Sequence, residues 1–244
     1  MQVAIVAGGL ATRLMPLTEQ IPKSMIRIHD KPFLEYQFEL LKRQGITDIV
    51  LCVGYLGEQI EEYFGDGSRF GVHLKYSYER EQLLGTAGAL KNAGELLAPE
   101  FIVVNGDTYF LIDFADIVSY FKQSDKLGLM IVHKNFDRYD TSNTVIEGNM
   151  VMQYSKKEKT GEMVYVDYGA SLFREGVLEL VPENHTYSLE ELNKELIKKQ
   201  ELLAYEVTER FYEIGSPQGL ADFKKYEREA IRETTRTIQK SSRS

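Results

Sequence analysis

The chain has 244 residues, enough to bury a full core, and its 43% hydrophobic and 27% charged content fits an ordinary globular protein, not a disordered or fibrous one. Its 29 basic and 37 acidic residues leave a net charge of −8, which excludes a surface built broadly for nucleic acid and requires any positive site to be local. The single cysteine, Cys52, excludes an internal disulfide, no apolar run reaches membrane-spanning length and no signal-peptide pattern precedes the first strand, so a cytoplasmic protein without a nucleic-acid or membrane partner is expected.

The first predicted element is the apolar run Val3 to Ala7, a strand buried on both faces and bounded by Gly8 and Gly9. A glycine pair there lets backbone N–H groups approach an anion. Thr12, Arg13 and Lys23 add a hydroxyl and two cations to the same long loop, and a triphosphate is the ligand that needs donors and positive charge together. Neither the ATPase loop G-x-x-x-x-G-K-[ST] nor the dinucleotide fingerprint G-x-G-x-x-G is present, which argues against a dehydrogenase on a similar sheet.

Phe33 to Gln44 reads as a helix carrying Leu34, Phe38 and Leu41 on one face, stopped by Gly45. A second buried strand, Asp48 to Val53, is followed by a short helix with Leu56, Ile60 and Phe64, and then by an alternating strand from Val72 to Tyr78. Gly85, Thr86 and Gly88 sit at the start of the next helix, where free N–H groups can meet a base or ribose, although Thr86 as a simple cap is the competing reading. Phe101 to Val104 is a strand ending in Asn105, Gly106 and Asp107, and an Asp at that end suits Mg²⁺, which takes one or two carboxylates plus substrate phosphates.

Phe114, Ile117, Val118 and Phe121 mark a further helix, and Leu129 to Val132 a further strand. From Lys134 to Val164 the chain turns polar, with turn signals at Glu147-Gly148-Asn149 and Lys159-Thr160-Gly161; this is a hairpin-rich, substrate-covering excursion from the sheet. Val164 to Phe173 returns to strand, Ser188 with Glu191 forms a capping box, and Ser216 with Pro217 starts the last helix. The pattern predicts an α/β fold with a doubly wound, mainly parallel, Rossmann-like sheet, as one domain over residues 1–232 with a disordered tail over 233–244. The four histidines, His29, His73, His133 and His185, show neither metal spacing nor pairing with a nucleophile.

GGLATRLMPLT, with Pro22 and Lys23 after it, resembles the signature of the sugar-1-phosphate nucleotidylyltransferases, G-G-x-G-T-R-L-x-P-L-T followed by Pro-Lys. The resemblance extends from Val3 to about Tyr226. It implies that Gly8 and Gly9, with Thr12, hold the nucleotide, that Arg13 clamps the β and γ phosphates and that Lys23 neutralises charge at the α-phosphate. It further implies that Gly85, Thr86 and Gly88 meet base and ribose and that Asp107 is an Mg²⁺ ligand, with Glu213 in the place where the family usually has a second Asp.

Tyr154, Ser155, Lys156 and Lys157 are similar to the family's Phe-x-Glu-Lys; Lys157 keeps the sugar-phosphate lysine while Lys156 replaces a carboxylate that accepts hydroxyl hydrogen bonds. Asp167, Tyr168 and Gly169 stand where the family has Asn-Ala-Gly, and Ala11 where it has Gly, a minor change unless that residue takes φ > 0. The implied activity is Mg²⁺-dependent transfer of a nucleotidyl group from a nucleoside triphosphate to a sugar 1-phosphate. The compact chain looks most like the GTP-using branch that includes heptose- and mannose-1-phosphate guanylyltransferases, with dTTP, UTP or CTP as alternatives. A catalytically weak regulatory subunit and assembly into a homo-oligomer are also left open.

Overall fold

The computed structural model describes residues 1–80 and 82–241. The chain begins with β1 (Gln2–Val6), a small ribbon β2 (Arg27–Ile28) and β3 (Lys31–Pro32), then α1 (Phe33–Arg43), β4 (Asp48–Val53), α2 (Gly57–Phe64), β5 (His73–Tyr78), α3 (Gly85–Asn92) and β6 (Glu100–Asn105). It continues through β7 (Thr108–Tyr109), α4 (Phe114–Lys122), β8 (Gly128–Lys134), the hairpin β9 (Thr144–Glu147) and β10 (Met150–Tyr154), and β11 (Tyr165–Arg174). It ends with α5 (Leu189–Lys198), β12 (Leu202–Val207), β13 (Tyr212–Glu213) and α6 (Pro217–Ser241). Residues 242–244 of the expected tail lie outside the described residues.

Strand side chains alternate between the two faces of the sheet, and apolar residues occupy both. Val3, Ile5, Ile49, Leu51, Ile102 and Val104 pack on one face against α1, α2, α4 and α6, through Leu34, Phe38, Ile60, Phe114 and Phe223 among others. Ala4, Val50, Cys52, Phe101 and Val103 face the other side, covered by α3 and α5 through Ala87, Leu90, Leu192 and Leu196. Cys52 is therefore a core residue, and burial pushes its thiol up to about 12.

The main sheet is ordered β5-β4-β1-β6-β11-β8-β12-β10-β9. Strands β5, β4, β1 and β6 are mutually parallel, as expected. Beyond β6 the sheet is mixed: β11 is antiparallel to both β6 and β8, β8 and β12 are parallel, and β10 is antiparallel to β12 and β9. Residue alternation reports which face a side chain takes and not strand direction, so this reversal had no signal in the local pattern. The expected excursion is the source of β9 and β10, which turn at Gly148 (φ +59) and extend the sheet edge.

This topology positions a site in two ways. The chain winds outward from β1 through β4 to β5, then crosses by α3 to β6 on the other side of β1, so the order reverses between β1 and β6. Open α/β sheets bind ligands at the carboxyl ends of strands at such a reversal. Because β11 runs antiparallel, it brings its amino end, with Gly169 beside the Ala170–Val104 pair, to the same edge. No helix among the described residues is long and apolar enough to cross a membrane.

Candidate active site

The turn after β6 carries the first acidic group. Gly106 N donates to Val6 O at 2.9 Å, and a Cβ at Gly106 would stand 2.9 Å from that same oxygen, so only glycine lets the turn close on β1. From beneath, the fully buried Gln37 of α1 donates Nε2 to the carbonyls of Asn105 at 2.9 Å and Thr108 at 2.6 Å. Asp107 therefore projects from a turn braced on both sides, and its Oδ2 pairs with Lys23 Nζ at 2.6 Å. Replacing Gln37 by Leu leaves two carbonyls without their donor, partly offset because its own Oε1 has no partner among the described residues. We expect a net loss of about 2 kcal/mol in urea unfolding, with no loss expected if the brace is idle.

A second carboxylate arrives from the far end of the chain. Pairing of β13 with β7 sets Glu213 opposite Thr108, one residue from Asp107. Around Gly215 three groups converge: a Cβ built there would lie 2.8 Å from Asp107 Oδ2, 2.8 Å from Glu213 Oε2 and 3.0 Å from Arg13 Nη2. Two hard oxygens and a guanidinium thus share one small space, a cradle that fits a divalent cation binding one or two carboxylates and taking its other ligands from phosphates. Among the described residues no cluster of three or more His, Cys, Asp or Glu could hold a metal, and Asp107 and Glu213 are the two carboxylates that meet beside Gly215.

Glu213 is longer than the Asp the resemblance led us to expect, and it folds back onto the start of α6. It accepts from Gly215 N and the Ser216 hydroxyl, and a Cβ at Gly219 would collide with its carboxylate. Ser216 in turn accepts from Gly219 N at 3.0 Å, the expected cap with Pro217 at the first helical position. Adding a methyl to the cradle by Gly215→Ala is expected to weaken divalent-metal activation and lower kcat/KM by roughly 100-fold. A metal titration of turnover checks this, and an unshifted curve would contradict the cradle.

The loop from Gly8 to Lys23 carries the cations. Ala11 has φ 50, the left-handed region that favours glycine, and its carbonyl is held by Thr18 Oγ1 at 2.9 Å. The Ala at this position is therefore not neutral to the backbone. The following turn, Thr12 to Leu14, presents Thr12 exposed and brings Arg13 into the cavity lining. Gly9 is exposed, with open space where a Cβ would be. Gly8 is packed instead: a Cβ would meet Glu79 Oε2 at 2.9 Å and Gly54 N at 3.0 Å.

Glu79 opens the stretch ahead of α3 that the sequence marks as site-building, but the sequence gives it no role of its own. It stands just past β5, half-buried, with its carboxylate against Gly8 and Gly54. Burial pushes its carboxyl up from the usual carboxylate range, and a bond from Leu84 N–H pulls it partly back. Its signal in the sequence was only its place at the head of EREQLLGTAGAL, within reach of a glycine far away in sequence.

At α3 the structure alters the expectation. Ala87 N and Gly88 N both donate to Tyr187 O at 2.9 Å, so those N–H groups are spent within the protein. Gly85, with φ +72, and Gly88 are needed because a Cβ would stand 2.8 Å from Tyr187 O and 3.0 Å from His185 O respectively. Thr86 Oγ1 accepts from Leu189 N at 2.7 Å, so it holds α5 and is not the cap of its own helix. The capping box of Ser188 and Glu191 is present as expected.

A cavity of about 330 Å³ opens at this edge, lined by Arg13, Asp107, Asp140, Lys156, Asp167 and Glu213 among others. Its size is that of a small-ligand site. Asp140 comes from the excursion, in a loop braced by Asn135, whose Nδ2 donates to Asp140 O at 2.5 Å and whose Oδ1 accepts from Tyr139 N at 3.0 Å. Asp167 accepts from Tyr154 OH at 2.7 Å and from Gly169 N at 2.9 Å, and Gly169 holds φ +80 against Asn105 and Thr108. Both lysines are exposed, but Lys156 lines the cavity and Lys157 does not. The structure thus brings Arg13, Lys23, Asp107, Asp167, Gly169 and Glu213 together and sets Lys157 aside.

Residues 2–229 match the family model described as nucleotidyl transferase. The chain is 38% identical over 226 residues to D-glycero-alpha-D-manno-heptose 1-phosphate guanylyltransferase of Campylobacter jejuni, covering 91% of this chain and 98% of that one. It is 33% identical over 235 residues to the protein of the same description from Aneurinibacillus thermoaerophilus, covering 94% and 98%. Its backbone is similar to that of HddC from Yersinia pseudotuberculosis complexed with GMP-PN, with a TM-score of 0.75, 28% identity, and 91% and 96% coverage. The chain belongs to the nucleotidyl transferase family.

Proposed function

We propose that this sugar-1-phosphate nucleotidyltransferase moves a guanylyl group from GTP to a sugar 1-phosphate, with a heptose 1-phosphate as acceptor, releasing pyrophosphate and a GDP-sugar. The observation that carries the reading is the convergence of Asp107, Glu213 and Arg13 on the space beside Gly215, with Lys23 on Asp107. The family depends on a divalent metal. Mg²⁺, held by Asp107 and Glu213, would screen the phosphates and stabilise the charge that develops on the leaving pyrophosphate.

A sugar 1-phosphate has its second pKa at about 6 and so is already a strong nucleophile near neutral pH. Its oxygen attacks the α-phosphorus while the bond to the β-phosphate breaks, and no general base is required. The protein therefore has to align two anions and cancel their repulsion. Arg13 and Lys23 are the cations proposed for the nucleotide, and Lys156, which lines the cavity, is proposed for the acceptor's phosphate where the resemblance pointed to Lys157.

Two considerations support GTP. One is the description of the relatives as guanylyltransferases and the GMP-PN bound to the similar fold. The other is the carboxylate of Glu79, which lies against Gly8 of the loop proposed for the nucleotide: an ionised carboxylate only accepts hydrogen bonds, and guanine offers N1–H and a 2-amino group side by side. Uracil and thymine flank their N3–H with two carbonyls, which a carboxylate repels. Incubating the protein with GTP, Mg²⁺ and D-glycero-D-manno-heptose 1-phosphate should yield the GDP-heptose mass by mass spectrometry. The same mass appearing only with mannose 1-phosphate would reassign the acceptor, and no product from any sugar 1-phosphate would remove the reading.

A further inference from the structure

A second, smaller cavity of about 100 Å³ adjoins the first, and Asn105, Lys156, Asp167 and Gly169 line both. Its inner wall is made by Ser171 of β11 and by Glu190 and Asn193 of α5, with Val103, Ala170 and Leu189 as apolar surface. Asn193 is 2% exposed, and among the described residues its Oδ1 has no hydrogen-bond partner. A buried amide oxygen left unpaired is costly, and native chains keep one where a ligand or water completes it.

The neighbouring groups point to what completes it. Glu190 Oε1 accepts from Lys194 Nζ at 2.7 Å and from Lys156 N at 3.3 Å, while Oε2 has no bond among the described residues. Ser171 is buried at 7% exposure and contributes a hydroxyl that both donates and accepts. Acceptors, a hydroxyl and an amide around a small space with an aliphatic wall suit a short polyol. At about 100 Å³ it is under a third of the 330 Å³ cavity that can take a sugar ring with its phosphate, a size that suits a two-carbon glycol.

We infer that this cavity receives the exocyclic arm of the acceptor sugar, and that Asn193, with Ser171 and Glu190, selects a seven-carbon sugar 1-phosphate over a six-carbon one. The inference rests on the proposed transfer to a sugar 1-phosphate. The arm of a heptose, –CHOH–CH2OH, carries one hydroxyl more than that of a hexose. A site built to pair that hydroxyl is left with unpaired buried groups when it is missing, which is how large discrimination arises.

The test compares kcat/KM for D-glycero-D-manno-heptose 1-phosphate and mannose 1-phosphate, with GTP and Mg²⁺, in the wild-type chain, Asn193→Leu and Ser171→Ala. The wild type should favour the heptose, and both variants should lower the heptose-to-mannose ratio at least ~10-fold. A ratio unchanged in whichever variants fold would overturn the assignment, as would a wild type that handles both sugars equally well. Either result leaves transfer to a sugar 1-phosphate intact. A wild type silent on every sugar 1-phosphate would overturn the functional reading and this inference with it.

Discussion

Asp107→Asn is expected to lower kcat roughly 10³-fold while leaving the far-ultraviolet spectrum and the melting transition close to wild type. Asn keeps the shape of the side chain and an acceptor for Lys23, so the ion pair at 2.6 Å becomes an ordinary hydrogen bond and the braced turn survives. The negative charge is what disappears. In a reaction with no general base the barrier is set by the charge on the phosphates, and a preorganised charge placed against developing charge is worth roughly 10²–10³ in rate when a single contact is removed. Losing one of the two carboxylates proposed to hold the metal would remove more than one such contact, because it would also loosen the cation that Glu213 alone would then hold. Steady-state pyrophosphate release over a range of Mg²⁺ checks this. Turnover within ~10-fold of wild type at matched Mg²⁺ would show that Asp107 does not hold the metal.

Glu79→Gln is expected to cut kcat/KM for GTP by about 10- to 100-fold, the size of one lost bidentate base contact. UTP, whose edge offers acceptors that a carboxylate repels, should be used no worse and is expected to improve. The carboxyl is raised by burial, so Glu79 takes up a proton at a higher pH than an ordinary glutamate. As pH falls, the acceptor is lost at a higher pH than an unburied glutamate would lose it, and the KM for GTP should rise. The Gln variant, with nothing to titrate, should lose that acid limb. A pH profile with the same acid limb in both proteins would place the titrating group elsewhere.

Several elements of this account were legible in the amino-acid order. The run Val3 to Ala7 is apolar at every position because β1 is buried on both faces, and Gly8 after it marks where backbone passes close to backbone at Gly54. The capping box at Ser188 and the Ser216-Pro217 start are local chemistry, and local chemistry is readable. Asp107 could be placed at a strand end by spacing alone. Ala11 was open until its φ of 50 put it in the left-handed region.

The remainder depends on contacts distant in sequence. Glu79 meets Gly8 because β5 and β1 end on the same edge with β4 between them, a geometry no short window contains. Glu213 reaches Asp107 through the two-residue pairing of β13 with β7. The N–H groups expected to be free at α3 are taken by Tyr187, a hundred residues away. Lys156 and Lys157 are adjacent, and only the turn after β10 decides which one faces the cavity.

The most direct test of the central claim is pyrophosphate release with D-glycero-D-manno-heptose 1-phosphate and each of GTP, UTP, dTTP and CTP in turn, with Mg²⁺ and with chelator. The proposed GTP-dependent mechanism requires the metal for release and favours GTP over the pyrimidine nucleotides by at least ~10-fold in kcat/KM. Equal use of a pyrimidine nucleotide, or release that survives the chelator, would contradict it.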